Sequence, residues 1–233
     1  MSELFDTTYF FNSAISIING VPITFLIAAV SFAAGGAMGF FIALLRIYKV
    51  PFLSQLATVY ISFFRGTPLL VQIFMFYYGI PIFLRGIGVE SELLLANAIY
   101  YAFVIFSLYA SGYMSEIFRA GILAVDRGQI EAAYSLGFTT RQAFMRIILP
   151  QAIMLSLPNL LNFFIMQIKN TSLVSVITVA DIMGLADIES GRSSKFLEVY
   201  FMAAMMYWAI CVGLEVAFKQ LERRLSIFRR SFV

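Results

Sequence analysis

The sequence predicts an all-α integral membrane protein: five transmembrane helices, an N-terminal interfacial helix and a cytoplasmic loop with helices of its own. Three observations predict it. Of 233 residues, 61% are hydrophobic and only 12% are charged, about half the roughly 25% charge of a soluble domain. The charges are clumped, with none between Asp6 and Arg46, between Arg65 and Arg85, between Glu92 and Glu116, or between Arg146 and Lys169. Several of these gaps reach the about 20 apolar residues that a helix needs to cross a ~30 Å hydrocarbon core. The alternating short strands of a membrane barrel are absent. The chain divides into an N-terminal interfacial segment (1–21), a membrane domain (22–218) and a basic tail (219–233).

Residues 7–19 read as a short amphipathic helix. Phe10, Phe11, Ala14, Ile15 and Ile18 share one face, so it is expected to lie in the membrane interface. Asn19-Gly20 is expected to end it, with Pro22 in the first turn of span 1, about 22–45. Ser31, Gly35, Gly39 and Ala43 recur every four residues. Such a stripe lets helix backbones approach closely, either between subunits or within one. Span 2 lies within 52–84 and is broken at Arg65-Gly66-Thr67-Pro68, where Thr67 is expected to cap and Pro68 to start a helix. Span 3 is about 93–115, span 4 about 150–172 and span 5 about 199–216.

Lys and Arg orient the chain. Arg46, Lys49, Arg119, Arg127, Arg141, Arg146, Lys219, Arg223, Arg224, Arg229 and Arg230 fall on one side if the 46–51 loop, the 116–149 loop and the tail share it. The other side holds Arg85, Arg192 and Lys195, and is acidic through Glu3, Asp6, Glu90, Glu92, Asp187, Glu189 and Glu198. The expected protein is multi-pass, with its N-terminus outside and its C-terminus cytoplasmic. The net charge of +3 then reports topology rather than nucleic-acid binding. The start of the chain shows no cleavable signal peptide pattern. One Cys and no His exclude a disulfide framework and a zinc site; Cys211 reads as a core thiol.

The 116–149 loop is the polar excursion of this oily chain. Asp126 with Gln129, and Thr139 with Gln142, have the spacing of capping boxes, and Gly137 suits the left-handed residue that ends a helix. The expectation is helix 127–136, a glycine turn, and a second helix running to Pro150. Ile130, Ala133 and Tyr134 line one face of the first helix. A short rigid helix presented this way fits a groove on a partner.

These residues carry a resemblance. Glu131-Ala132-Ala133, three residues, Gly137, nine residues, Ile147, one residue, Leu149-Pro150 resembles the EAA loop of bacterial ATP-binding-cassette importer permeases. Arg65-Gly66-Thr67-Pro68 and Lys169-Asn170-Thr171-Ser172-Leu173 resemble two further signatures of the polar amino acid branch. The resemblance implies a type I importer permease, in the bacterial cell membrane, that moves a polar amino acid, with L-cystine or glutamine the first guesses. It implies a second permease copy, a cytoplasmic ATPase dimer and an extracellular substrate-binding protein as partners. ATP and Mg would be bound by the ATPase; this chain lacks a G-x-x-x-x-G-K-[ST] phosphate loop and is expected to have no catalytic residue, metal or cofactor. Nothing points to nucleic acid.

Within that resemblance, Glu131, Ala132, Ala133 and Gly137 would couple the chain to the ATPase. A solvated helix charge is the ordinary alternative for Glu131. Lys169 is expected near mid-membrane, where charges usually face a cavity or a partner. It would meet a substrate carboxylate; a structural ion pair or a snorkelling side chain is the alternative. Relatives often carry Asp where this chain has Asn170, so weaker preference for cationic substrates is expected. Asn170 shares a helix face with Gln167, Phe163 and Asn159. Gln167, Asn170, Thr171 and Phe163 would line the path, opposite Thr67, Leu69 and Gln72; interhelical hydrogen bonding is the alternative for the amides. Arg65 is expected to satisfy carbonyls at the break.

An ion-coupled secondary transporter is the competing reading. It would normally bury carboxylates or His as a relay, yet no Asp or Glu occurs in 93–115 or 147–180 and His is absent. A membrane hydrolase would lack a base for its nucleophile. A passive channel would leave the 126–150 loop without a purpose.

Overall fold

The computed structural model describes residues 5–88 and 97–229, with side chains placed as far as Arg224. Glu3, Glu90, Glu92, Arg230, the side chain of Arg229 and residues 93–96 of predicted span 3 lie outside the described residues. Every regular element among the described residues is helical: α1 (Thr7–Ile17), α2 (Val21–Ile47), α3 (Leu53–Gly66), α4 (Leu69–Phe74), α5 (Ile80–Gly86), α6 (Ala98–Leu123), α7 (Arg127–Ser135), α8 (Thr140–Ala143), α9 (Leu149–Asn170), α10 (Ile182–Ser193) and α11 (Phe196–Arg229). Among the described residues, five stretches are long and apolar enough to cross a bilayer: Thr7–Ile47, Leu69–Gly86, Ala98–Leu123, Thr140–Ile177 and Phe196–Arg224. Outward-facing Phe41, Ile82, Val59 and Trp208 are more than half exposed, as membrane helices allow.

The centre of the fold is α6, which packs lengthwise on α2 and also meets α3 and α9. The small-residue stripe makes the α2–α6 seam. A Cβ added at Gly35 would stand 2.8 Å from the Ser107 carbonyl, and one at Gly39 2.9 Å from the Ser111 carbonyl. The stripe therefore serves packing within one chain, the second of the two readings. Close backbone approach of this kind is a main source of helix association where lipid removes the hydrophobic drive. Ile27, Ile73, Ile105, Phe106 and Met114 complete the buried core around it.

Several boundaries differ from the sequence reading. Asn19-Gly20 does not end α1: a 3-10 turn at Ile18–Gly20 carries the chain straight into α2. Gly20 keeps right-handed helical angles, and the space its side chain would fill is taken by the backbone of Asp181 and Ile182. The sequence reading also omitted α10. Asp181 caps it, accepting from Gly184 N at 2.9 Å, and Ser194 ends it in the left-handed region at φ 58°. Span 4 and the loop helix before it are one rod, since α8 runs through a π turn at Phe144–Ile148 into α9.

The two ends of the bundle are tied differently. At the acidic end, α1 lies against α10 and α11 through Ile17, Ile182, Ala186 and Val199. Lys195 pairs with Asp6, Tyr9 donates to Glu189, and Asp6 N donates to Glu198 Oε1 at 2.9 Å. At the basic end, Glu116 of α6 accepts from Arg46 of α2 and, at 2.7 Å, from Arg119.

Candidate functional site

Three helices bring aromatic and polar groups together inside the bundle. On α6, Tyr109 and Tyr113 stand one turn apart, with ring centroids 4.7 Å from each other. Phe163 of α9 stacks on Tyr113 at 5.7 Å and on Tyr109 at 6.5 Å. Of the predicted α9 face, Phe163 and Gln167 meet α6, Asn170 lies partly buried two turns beyond Phe163, and Asn159 is exposed. Arg65, the penultimate residue of α3, completes the cluster with its guanidinium carbon 5.5 Å from the Tyr113 ring centre.

The neighbouring break between α3 and α4 is held by side chains. Thr67 is extended (φ −115°, ψ 146°) and sits at the C-terminal end of α3, where its hydroxyl donates to the Phe63 carbonyl at 2.8 Å. It therefore closes α3 rather than opening the next helix. Pro68, not Thr67, occupies the N-cap of α4. Gln72 Nε2 donates to Thr67 Oγ1 at 2.7 Å and to the carbonyls of Phe64 and Thr67, each at 3.1 Å. Carbonyls at the break are thus satisfied by Gln72, not by Arg65 as the sequence reading expected. A groove of about 550 Å³ lies outside this corner, lined by Thr58, Val59, Ser62, Phe63, Gly66 and Thr67. Thr58, Ser62 and Arg65 form an exposed polar edge of α3, opposite buried Ala57, Ile61 and Phe64.

The remaining predicted residues divide. Gln167 is fully buried, and its Nε2 donates across to the Phe106 carbonyl of α6 at 3.3 Å. Thr171 is also buried, bonded to the Ile168 carbonyl at 2.8 Å. The side-chain carbonyls of Gln72 and Gln167 are both sealed without a partner. Lys169 is exposed. It acts electrostatically on Cys211 of α11, as does Glu215 one turn farther along. Phe163 is the α9 side chain that stacks on the aromatic cluster.

The loop at the basic end forms the expected helix and turn. Asp126 caps α7 by accepting from Gly128 N at 2.6 Å. Gly137 adopts φ +81°, a conformation open to glycine at no steric cost. Thr139 and Gln142 form the full capping box of α8. Gln129 departs from the expected box: its Oε1 accepts from Gln151 Nε2 of α9 at 2.6 Å, a tie between α7 and the rod. On α7, Ala133 is buried, while Glu131, Ala132 and Tyr134 are exposed. Glu131 has no ion-pair partner among the described residues.

One polar node escaped the sequence reading. Asp181 is fully buried just beyond the 147–180 window searched for acids. Its carboxylate accepts from Tyr207 of α11 at 2.9 Å, Thr24 of α2 at 3.5 Å and Gly184 N at 2.9 Å. Burial pushes this carboxyl up from 3.8 to about 6, against those hydrogen bonds. A lone acid locked by three donors joins helices; it does not form a chain of proton carriers.

Comparison with known proteins bears on this arrangement. The family described as "Binding-protein-dependent transport system inner membrane component" matches residues 35–227. The L-cystine transport system permease protein TcyL of Bacillus subtilis is 42% identical over 206 residues, covering 88% of this chain and 85% of its own. The probable amino-acid ABC transporter permease protein PatM of Vibrio harveyi is 45% identical over 172 residues, 73% of this chain and 74% of its own. A crystal structure of an amino acid ABC transporter with histidines superposes with a TM-score of 0.84 at 34% identity, covering 94% of this chain and 99% of that one.

Proposed function

Because this chain belongs to the inner-membrane component family of binding-protein-dependent transport systems, we propose that it is one membrane-spanning half of an ATP-driven importer for a neutral polar amino acid, L-cystine or L-glutamine first among them. A second copy of the chain supplies the other half. An extracellular binding protein delivers the amino acid to the acidic end, and the basic end, with the C-terminus, faces the cytoplasm. ATP and its Mg²⁺ belong to the partner ATPase dimer, which performs the hydrolysis.

The observation that carries this reading is α7. It is a capped, exposed helix aimed by Gly137 and tied through Gln129–Gln151 to the rod that bears Phe163 and Asn170. Glu131 and Ala132 meet the ATPase surface, with Ala133 packed beneath them. Closure of the ATPases then moves α7 as a rigid body, and the rod with it. Thr67 and Gln72 shape one wall of the path at the α3–α4 break. Phe163, Gln167, Lys169, Asn170 and Thr171 shape the other; Gln167 and Thr171 act from within by holding α9 in place.

Co-reconstitution with the cognate ATPase and binding protein in liposomes tests the reading. Uptake of labelled L-cystine or L-glutamine is expected only with ATP inside the ATPase compartment. Uptake driven by an ion gradient without ATP would favour the ion-coupled alternative. Gly137→Pro, which cannot adopt φ +81°, is expected to abolish ATP-driven uptake while the chain still inserts in the membrane.

A further inference from the structure

The acidic end carries a small cavity that the proposed transport path does not use. It encloses about 200 Å³ between the 3-10 turn after α9 and α10, and Ser175, Thr178, Val179, Gly184, Asp187 and Ile188 line it. From Thr178 to Ile188 this lining falls between the apolar stretches Thr140–Ile177 and Phe196–Arg224, and Thr178 and Ile188 are exposed. Gly184 keeps the cavity compact: a Cβ there would stand 2.2 Å from the Val179 carbonyl oxygen, so the chain before α10 lies directly on its first turn. The volume is below the roughly 300–1,000 Å³ of sites that enclose a whole ligand. It has room for one side chain.

The polar groups here suit a cation. The positive end of α10 is already answered by Asp181, which accepts from Gly184 N at 2.9 Å. Asp187 Oδ1 accepts from Tyr200 of α11 at 3.0 Å, and the Tyr200 oxygen accepts from Ser190 at 3.3 Å. Asp187 Oδ2 and the hydroxyls of Ser175 and Thr178 have no hydrogen-bond partner among the described residues. No Lys or Arg pairs with Asp187 among them either: Lys195 is held by Asp6, and Arg192 lies five residues on, off the same face of α10. The other acids of this end are occupied, Glu189 by Tyr9 and Glu198 by Asp6 N. An ammonium brings three donors and no acceptor, which one carboxylate oxygen and two hydroxyls match. A guanidinium fork would want both Asp187 oxygens, and Tyr200 holds one. Val179 and Ile188 suit the methylene stem of a lysine. We propose that this cavity receives a lysine side chain of the extracellular binding protein, its ammonium on Asp187, and so sets how that protein docks on the acidic end. The proposal rests on the importer reading, which puts this end outside, and deepens it by naming a contact with the delivering partner.

The complex of permease and cognate ATPase, in lipid nanodiscs, is titrated with its purified, amino-acid-loaded binding protein at low and at high salt. Asp187→Asn keeps an acceptor for Tyr200 and removes the charge. It is expected to weaken docking by about tenfold at low salt and to flatten the salt dependence. Tyr200→Phe only frees the carboxylate to turn, and is expected to cost about threefold while the salt dependence stays. Asp187→Lys is expected to abolish docking, and a lysine-to-glutamate change at one position of the binding protein to restore it, which also shows that the variant permease folds. Unchanged affinity and unchanged salt dependence in Asp187→Asn overturn the proposal. So does failure of every exposed lysine-to-glutamate change in the binding protein to rescue Asp187→Lys. If Asp187→Asn instead parts two permease copies while docking is intact, the cavity belongs to the second copy and the proposal fails. Absence of both docking and ATP-driven uptake in the unaltered complex overturns the importer reading; normal uptake with an indifferent Asp187→Asn overturns this contact alone.

Discussion

Asp181 shows how a single buried group sets a pH dependence. It joins α2, α10 and α11 through Thr24, Gly184 and Tyr207. Burial raises its carboxyl from 3.8 to about 6, so the folded chain holds this proton more tightly than the unfolded chain does. Its contribution is complete below the unfolded value and is lost as pH rises through about 6. A shift of that size corresponds to at most about 3 kcal/mol. Thermal unfolding of the purified protein is expected to show falling stability between about pH 4 and 6.5, with that slope flattened in Asp181→Asn. An equal slope in both proteins would remove Asp181 as its source. The residue was invisible to a search for acids at membrane depth because it sits just after the helical turn that ends at Ile177.

The α2–α6 seam makes a prediction that separates two adjacent glycines. At Gly35 a methyl group meets the Ser107 carbonyl at 2.8 Å, and backbone cannot step aside; at Gly36 it meets only the Met114 methyl at 3.0 Å, which can swing. Gly35→Ala is expected to cost about 1–3 kcal/mol and Gly36→Ala less than about 1. Equal stabilities in thermal unfolding would mean that the seam is not tight. Elements whose signals are local were legible in the sequence. Asp126, Gly137, Thr139 and Gln142 gave the loop its helices, and the charge-free runs gave the spans. What depended on tertiary neighbours was not. Gln129 has the spacing of a cap, but Gln151 folds back within its reach and takes its carbonyl oxygen. The ends of α10 are set by Asp181 and by Ser194 in a left-handed conformation that glycine or asparagine would have announced. In the candidate site, the face that carries Phe163 and Gln167 was readable from helical spacing. Tyr109, Tyr113 and Arg65 were not, because nothing in their own segments says that α3 and α9 converge on α6.

Across the whole molecule the ties at the two ends make different mechanical units. The acidic end binds α1, α10 and α11 to one another; the basic end binds α2 to α6 and α7 to α9. Topology is the first thing to check at this scale. In a Cys211→Ala background, Leu136→Cys on the exposed loop is expected to react with a membrane-impermeant maleimide only after cells are opened. Gly191→Cys on α10 is expected to react in intact cells, and the reverse pattern would invert the proposed orientation. The uninterrupted rod from Thr140 to Asn170 also has a purely geometric consequence. From the π turn to Asn170 it spans 22 residues, or about 33 Å at 1.5 Å each. If the π turn is the pivot, a tilt of roughly 10° displaces Asn170 by about 6 Å over that arm length, nearly the width of a small amino acid. Under the proposed coupling, a modest rotation at the loop would be magnified into a full step at the far end of the rod: the rod is a gear as well as a strut.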